Sequence, residues 1–313
     1  MLKDLPFGVE IEMTGLTREQ AAKAAAELWN TTARYIGRSY GTWEVTDPEG
    51  KVWKFMSDGS IDGERWSHGA YVATSNSEYR VEMVTPKLDY DEIPKLQEVV
   101  RTVRKAHAKV NNSCGLHVHV DASRFDNQSL KNLMSIMYSK EDLLFQALQV
   151  PESRVQRWCK PVRESMLQQA RRMTASASRS RLERIWYQGD VNSTEHYNWT
   201  RYHALNLHSV FYRGTVEYRM FNSTLHAGRV KAYVHLALGI SSQALEQRGS
   251  QMRKTQTDNP AFTFRTWLLR MGMIGEEYAN TREHLLASLP GNRAWRYDKD
   301  HYEKNKTHNE PER

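Results

Sequence analysis

Cys114-Gly-Leu-His-Val-His-Val-Asp121 alternates apolar and polar side chains without a break, the two-residue period of a β-strand. His117, His119 and Asp121 therefore share one face, and Leu116, Val118 and Val120 share the other. Any half-solvated strand alternates in this way. What sets this one apart is the chemistry of its polar face, which carries imidazoles and a carboxylate and no Lys, Thr or Ser.

Working outward, two other segments repeat the design. Phe7-Gly-Val-Glu-Ile-Glu-Met13 directs Glu10 and Glu12 to one side, and Thr215-Val-Glu-Tyr-Arg-Met-Phe221 does the same with Glu217 and Arg219. A fourth, Tyr79-Arg-Val-Glu-Met-Val-Thr-Pro86, offers Glu82 among apolar neighbours. Taken singly, a Glu-x-Glu or Glu-x-Arg strand is an ordinary solvated sheet face, and His-x-His ligates a metal only in a minority of cases. Their value lies in occurring together on apolar strands of one chain. If those strands share a sheet, the polar side is an active site.

Carboxylates two apart on a strand lie about 6–7 Å apart on one face. That is long for joint ligation of one small cation but suits two neighbouring cations bridged by phosphate oxygens. Mg²⁺ requires hard oxygen ligands and completes its shell with water and phosphate. Glu10, Glu12, Glu82 and Glu217 meet that demand and tolerate an imidazole beside them. A glutamate-rich set with only two cysteines in the chain, Cys114 and Cys159, argues against structural zinc. Arg219, on the face of Glu217, offers a planar fork for a phosphoryl group in transfer.

The 313 residues are enough for a large core. With 39% hydrophobic and 26% charged residues the chain is globular rather than disordered. No apolar run reaches the length of about 18 residues that a membrane helix needs. The N-terminus leads directly into the first strand, with no room for a signal peptide, and two cysteines exclude a disulfide framework; a cytoplasmic location is expected. The net charge of +7 and pI near 9.3 favour anionic ligands. Much of the excess lies between Arg154 and Arg184, where eight arginines and one lysine face two glutamates. Those residues are read either as a solvated helical face or as a docking surface for an anionic substrate.

In chain order, Thr17 to Gln20 resembles a capping box opening a helix over Glu19 to Trp29. A hairpin follows, Thr42 to Met56, turned at Asp47-Pro-Glu-Gly50. Asp62 to Ser77 reads as an exposed loop. Helices are expected over Asp91 to Val110, Asp126 to Gln149, Arg154 to Met173 and Arg179 to Tyr187, the last three within a helical insertion at about 125–190. The sheet resumes near Arg201 to Ser209, and a C-terminal helical block at about 226–290 comprises Val230 to Gln247, Thr263 to Met273 and Glu276 to Leu289. The pattern is α+β: one domain over 1–295, with a disordered tail at 296–313.

In this order, Phe7-Gly-Val-Glu-Ile-Glu, Val81-Glu-Met-Val-Thr-Pro, Cys114-Gly-Leu-His-Val-His-Val and Thr215-Val-Glu-Tyr-Arg resemble the amidoligase family, within the glutamine synthetase and glutamate–cysteine ligase superfamily. The match spans about Pro6 to Thr224. The resemblance implies a curved, largely antiparallel sheet of the glutamine synthetase catalytic-domain type. Its concave face would hold ATP and Mg²⁺ or Mn²⁺, with helices on the outer face. It also implies ATP-dependent joining of a carboxylate to an amine through an acyl phosphate. By matching strands, Glu12 and Glu82 would hold one metal, and Glu10, His117 and Glu217 the second. Arg219 would contact the phosphoryl group and His119 would lie beside the nucleotide. Arg201 would contact substrate carboxylate or phosphate, and Asn206 would lie near the nucleotide or serve structure. The chain departs from the superfamily in one respect: Thr74 and Ser75 stand where another acidic ligand often precedes the residue matched by Glu82. Glu78, Asp58 or water would substitute.

Substrates in keeping with the resemblance are peptides, amino acids or cell-wall precursors; the basic pI adds a modified nucleic-acid base. Two other classes compete. A metal-dependent amide hydrolase would use the same histidines and carboxylates to activate water without nucleotide. A non-catalytic nucleic-acid-binding protein would rest on charge alone, and no recognised nucleic-acid motif supports it. No Gly-x-x-x-x-Gly-Lys-Ser/Thr loop is present, so phosphate would be held by metals and arginines.

Overall fold

Alternating side chains build most of the sheet. The computed structural model describes residues 2–174, 176–189, 192–249 and 252–297. Its strands are β1 (Phe7–Met13), β2 (Ala33–Gly37), β3 (Thr42–Thr46), β4 (Val52–Met56), β5 (Glu64–Ser67), β6 (Ala70–Ala73), β7 (Val81–Val84), β8 (Gly115–Asp121), β9 (Leu205–Asn206) and β10 (Thr215–Asn222). Eight of them form one sheet in the order β2-β3-β4-β7-β1-β8-β10-β9, and every pairing is antiparallel. The four strands singled out from sequence, β7, β1, β8 and β10, are consecutive neighbours at its centre.

The apolar residues of these strands point one way. Phe7, Val9, Ile11, Leu116, Val118, Val120, Val216 and Tyr218 are all buried in the core. They meet helices on that side: α1 (Arg18–Leu28), α2 (Ile93–Lys105) and, after the insertion, α8 (Ala227–Glu246). The stripe Ile93, Leu96, Val99, Val100 and Val103 of α2 is buried as its periodicity requires. The capping box of α1 is present, with Thr17 N–H donating to Gln20 Oε1 at 2.8 Å and Gln20 N–H donating to Thr17 Oγ1 at 3.2 Å.

The insertion contains α3 (Asn127–Leu148), α4 (Glu152–Arg157), α5 (Glu164–Arg171) and α6 (Arg179–Trp186); α7 (His208–Arg213) follows it. Beyond α8 come α9 (Pro260–Arg270) and α10 (Ala279–Leu286). α3 and α10 pack against α8, so the C-terminal block shares the core of the sheet. Among the described residues, no helix is long and apolar enough to cross a membrane.

Three local expectations are corrected and one strand was not expected. Asp62 to Ser77 is not a featureless loop but carries the β5–β6 hairpin, pinned by Trp66, which packs edge-on to Tyr71 at 4.8 Å and stacks on His107 at 5.2 Å. The helix expected over Arg154 to Met173 is split into α4 and α5 around Pro161, whose ring cannot continue a helix. In Arg201 to Ser209 only Leu205–Asn206 pairs as strand before α7 begins. Lastly, β2 pairs with β3 at the sheet edge although its sequence carries no clear alternation. The tail expected at 296–313 lies outside the described residues from 298 onward.

Candidate active site

Strand register brings the polar residues together. Glu10 is directly opposite His117, Glu12 opposite Glu82, and Glu217 opposite His119. Directly opposed residues project to one face of a sheet. The register shifts between Tyr218 and Phe221, a bulge that places extra backbone opposite His117 while Met220 and Phe221 both stay buried. Within it, Arg219 Nη1 donates to Glu217 Oε1 at 2.5 Å.

The face floors a cavity of about 570 Å³ lined by Glu10, Glu12, Glu82, His117, Asp58, Arg157, Arg201, Arg213 and Arg219, among others. The polar sheet face carries three trios suited to cations: Glu12, Asp58 and Glu82; Glu10, His119 and Glu217; and Glu10, Glu82 and His117. Glu10 and Glu12 thus fall in different clusters, as their spacing along β1 requires. His117 lies among them, its Nδ1 3.1 Å from Glu10 Oε2 and 3.6 Å from Glu217 Oε1, and its Nε2 3.9 Å from Glu12 Oε1.

The electrostatics split these groups. Burial, then the charges of Glu10, Asp58 and Glu12, hold the Glu82 carboxyl well above the usual carboxylate range. Burial and then Asp58 push Glu12 up to about 7, against the Gly115 N–H that donates to it at 2.5 Å. Burial also opposes ionisation of Glu10 and Glu217, yet neighbouring charges win. His119 and His117 hold Glu10 down, and Arg219, with the histidines, holds Glu217 down. Burial and then Arg219 lower His117 to about 4, leaving it neutral, whereas for His119 the carboxylates of Glu10 and Glu217 overcome burial and raise it.

Two features fit this donor set to divalent cations. His119 Nε2 is buried without a hydrogen-bond partner, 3.4 Å from Glu10 Oε1. Around Glu82 the charges of Glu10, Asp58 and Glu12 outweigh that of Arg213, and hard oxygens with one imidazole suit Mg²⁺ or Mn²⁺.

Around the floor, the remaining residues are held by local contacts. Asn206 on β9 is opposite Glu217, and its Nδ2 donates to Glu217 Oε2 at 2.7 Å. Gly115 is small because a Cβ there would lie 2.2 Å from Arg154 Nη2; that buried guanidinium donates to the Phe221 carbonyl at 3.2 Å. Arg201 lies over the rings of Tyr197 at 5.5 Å and Tyr202 at 5.8 Å, and Arg157 over Trp158 at 4.6 Å. Of the two substitutes named for the absent acidic ligand, Glu78 is committed to Arg18 at 2.5 Å; Asp58, in the turn after β4, lines the cavity. Arg213, Arg157 and His196 line it too. None of the three had a motif to mark it; the basic composition of 154–184 was the only hint of Arg157.

The fold and site define a class: an antiparallel sheet with helices on its apolar face and a carboxylate, imidazole and arginine array on the other, able to hold cations and anions together. A family model describing amidoligase enzymes matches residues 3–241, and the chain belongs to that family. No curated protein matches the sequence.

Proposed function

We propose that this protein is an ATP-dependent carboxylate–amine ligase that forms an amide or isopeptide bond through an acyl phosphate, on a sheet of the glutamine synthetase type. Residues 1–295 act as one catalytic domain, in the cytoplasm. The observation that carries the reading is the pair of oxygen-rich clusters, Glu12/Asp58/Glu82 and Glu10/His119/Glu217, side by side on one face with Arg219 anchored to Glu217.

Glu12, Asp58 and Glu82 would hold one Mg²⁺ or Mn²⁺, and Glu10, His119 and Glu217 the other, with His117 between them. When bound, such cations neutralise charge developing on phosphoryl oxygens. Arg219 presents its guanidinium to the same group, pre-positioned by Glu217 so that no reorganisation is needed as charge develops. Asn206 would act through Glu217, holding its carboxylate in orientation from the Oε2 side. Arg157 and Arg201 lie against aromatic rings, Arg201 also donating to the His196 carbonyl at 3.2 Å, and would contact an anionic substrate. The carboxylate attacks the γ-phosphorus and ADP leaves; the amine then attacks the acyl carbon and phosphate leaves. Candidate substrates are amino acids, peptides or cell-wall precursors, with a modified nucleic-acid base as a further amine.

The test is trapping. Protein, ATP and Mg²⁺ are incubated with a panel of carboxylates and hydroxylamine, and ADP and hydroxamate are measured together. A ligase yields both, in equal amounts and only with a competent carboxylate. Amide hydrolysis without ATP, with no hydroxamate from any carboxylate, would instead establish the hydrolase.

A further inference from the structure

Arg213 ends α7, and Gly214 after it adopts φ +74°, the left-handed turn that sends the chain into β10. Its guanidinium crosses to β1, where Nη1 donates to Glu10 Oε1 at 3.1 Å. On its other side Nη2 lies 3.0 Å from His196 Nε2, which accepts there because an arginine nitrogen only donates. Glu10 Oε1 is also the oxygen 3.4 Å from His119 Nε2, the buried nitrogen without a hydrogen bond. Arg213 and a divalent cation held by Glu10, His119 and Glu217 would therefore compete for one carboxylate.

We propose that Arg213 is a placeholder for that cation which becomes an anion-binding residue once the cation arrives. While the trio carries no metal, the guanidinium neutralises Glu10. A divalent ion repels it from Glu10 and leaves it free to grip the phosphate-bearing ligand. The inference rests on the two-cation ligase reading.

Three observations carry it. The side chain of Arg213 is 44% exposed against 6% for Arg219, so Arg213 has room to swing where Arg219 is locked to Glu217. Arg213 also lines both the main cavity and a neighbouring one of about 290 Å³ bounded by Gly8, Thr85 and Thr215, so a released guanidinium has open space on two sides. Finally, His196, which accepts from Arg213 Nη2, lines the main cavity beside Tyr197, whose hydroxyl meets that of Tyr40 at 2.5 Å. His196 therefore keeps a hold on the guanidinium within the cavity when it leaves Glu10.

Mn²⁺ titrations followed by paramagnetic resonance separate the two roles, first with Mn²⁺ alone and then with a non-hydrolysable ATP analogue present. Without nucleotide, Arg213→Gln should bind Mn²⁺ about fivefold or more tightly than wild type, because a competing charge has gone. The enhancement of Mn²⁺ binding by nucleotide should fall by about the same factor, within the ordinary range of coupling between sites. Arg213→Lys, which keeps the charge, should stay near wild type without nucleotide. A residue that merely supports the fold would weaken both measurements or move neither. Unchanged or weaker Mn²⁺ binding by Arg213→Gln without nucleotide overturns the placeholder while leaving the ligase reading intact. Failure of wild type to bind Mn²⁺ under either condition overturns both.

Discussion

Glu217 illustrates how one side chain is tuned by three neighbours: Arg219 takes one oxygen, Asn206 the other, and His119 faces it from β8. Because Arg219 is itself buried, its removal strands a carboxylate. Arg219→Ala should thus lower stability by about 3–5 kcal/mol, visible as a lower melting temperature, and cut hydroxamate formation by about 10²–10³. Arg219→Lys should recover most of the melting temperature but little of the rate, since it restores the charge and not the fork. The carboxylates with raised pKa values predict a pH dependence of the opposite kind from an ordinary salt bridge. Glu12 moves from 4.5 when unperturbed to about 7 in the fold, and Glu82 is raised too, so folding takes up protons. Their contribution to stability is present below about pH 4.5 and is lost as pH rises through 7. Over that window the metal-free protein should lose melting temperature. Mn²⁺ should restore it more at pH 8 than at pH 6 and release protons on binding, measurable by calorimetry in buffers of different ionisation enthalpy.

At the scale of elements, the site is a consequence of which strands are neighbours. β1 supplies two carboxylates, and its partners β7 and β8 place Glu82 and His117 opposite them. The turn after β4 then adds Asp58. Two acidic residues competed for that place, and the structure separates them by their partners. Asp58→Asn should weaken Mn²⁺ binding by about 10–100-fold with little change in melting temperature. Glu78→Gln should do the reverse, leaving Mn²⁺ binding close to wild type while destabilising the fold through the buried Arg18. Isothermal titration and thermal melts on both variants check the assignment.

For the whole molecule, the positive charge is not spread evenly with respect to the cavity. Arg157 lines it, whereas Arg171 and Arg172 lie at the end of α5 on exposed surface. Charge reversal of Arg157 should therefore raise KM for an anionic substrate severalfold. Reversing Arg171 and Arg172 together should have a smaller effect that disappears by about 0.5 M salt, as screening shortens the field. Steady-state kinetics at two ionic strengths measure both.

The four motif strands, their inward faces and the residues Glu10, Glu12, Glu82, His117, His119, Glu217 and Arg219 were legible in the sequence, because period-two alternation fixes the face of each residue locally. The capping box and the apolar stripe of α2 were legible for the same reason. Tertiary structure alone decided the rest. Alternation tells which residues share a strand face but not which strands are neighbours, so the set expected from the resemblance, Glu10, His117 and Glu217, is regrouped in the fold: His119 stands with Glu10 and Glu217, and His117 with Glu10 and Glu82. Asp58 and Arg213 sit in a turn and at a helix end, where no period marks them, and only the packed chain brings them to β1. The β5–β6 hairpin was hidden by its Gly, Ser and His content, and its aromatic contact to His107 spans about forty residues of chain, beyond the reach of any local pattern.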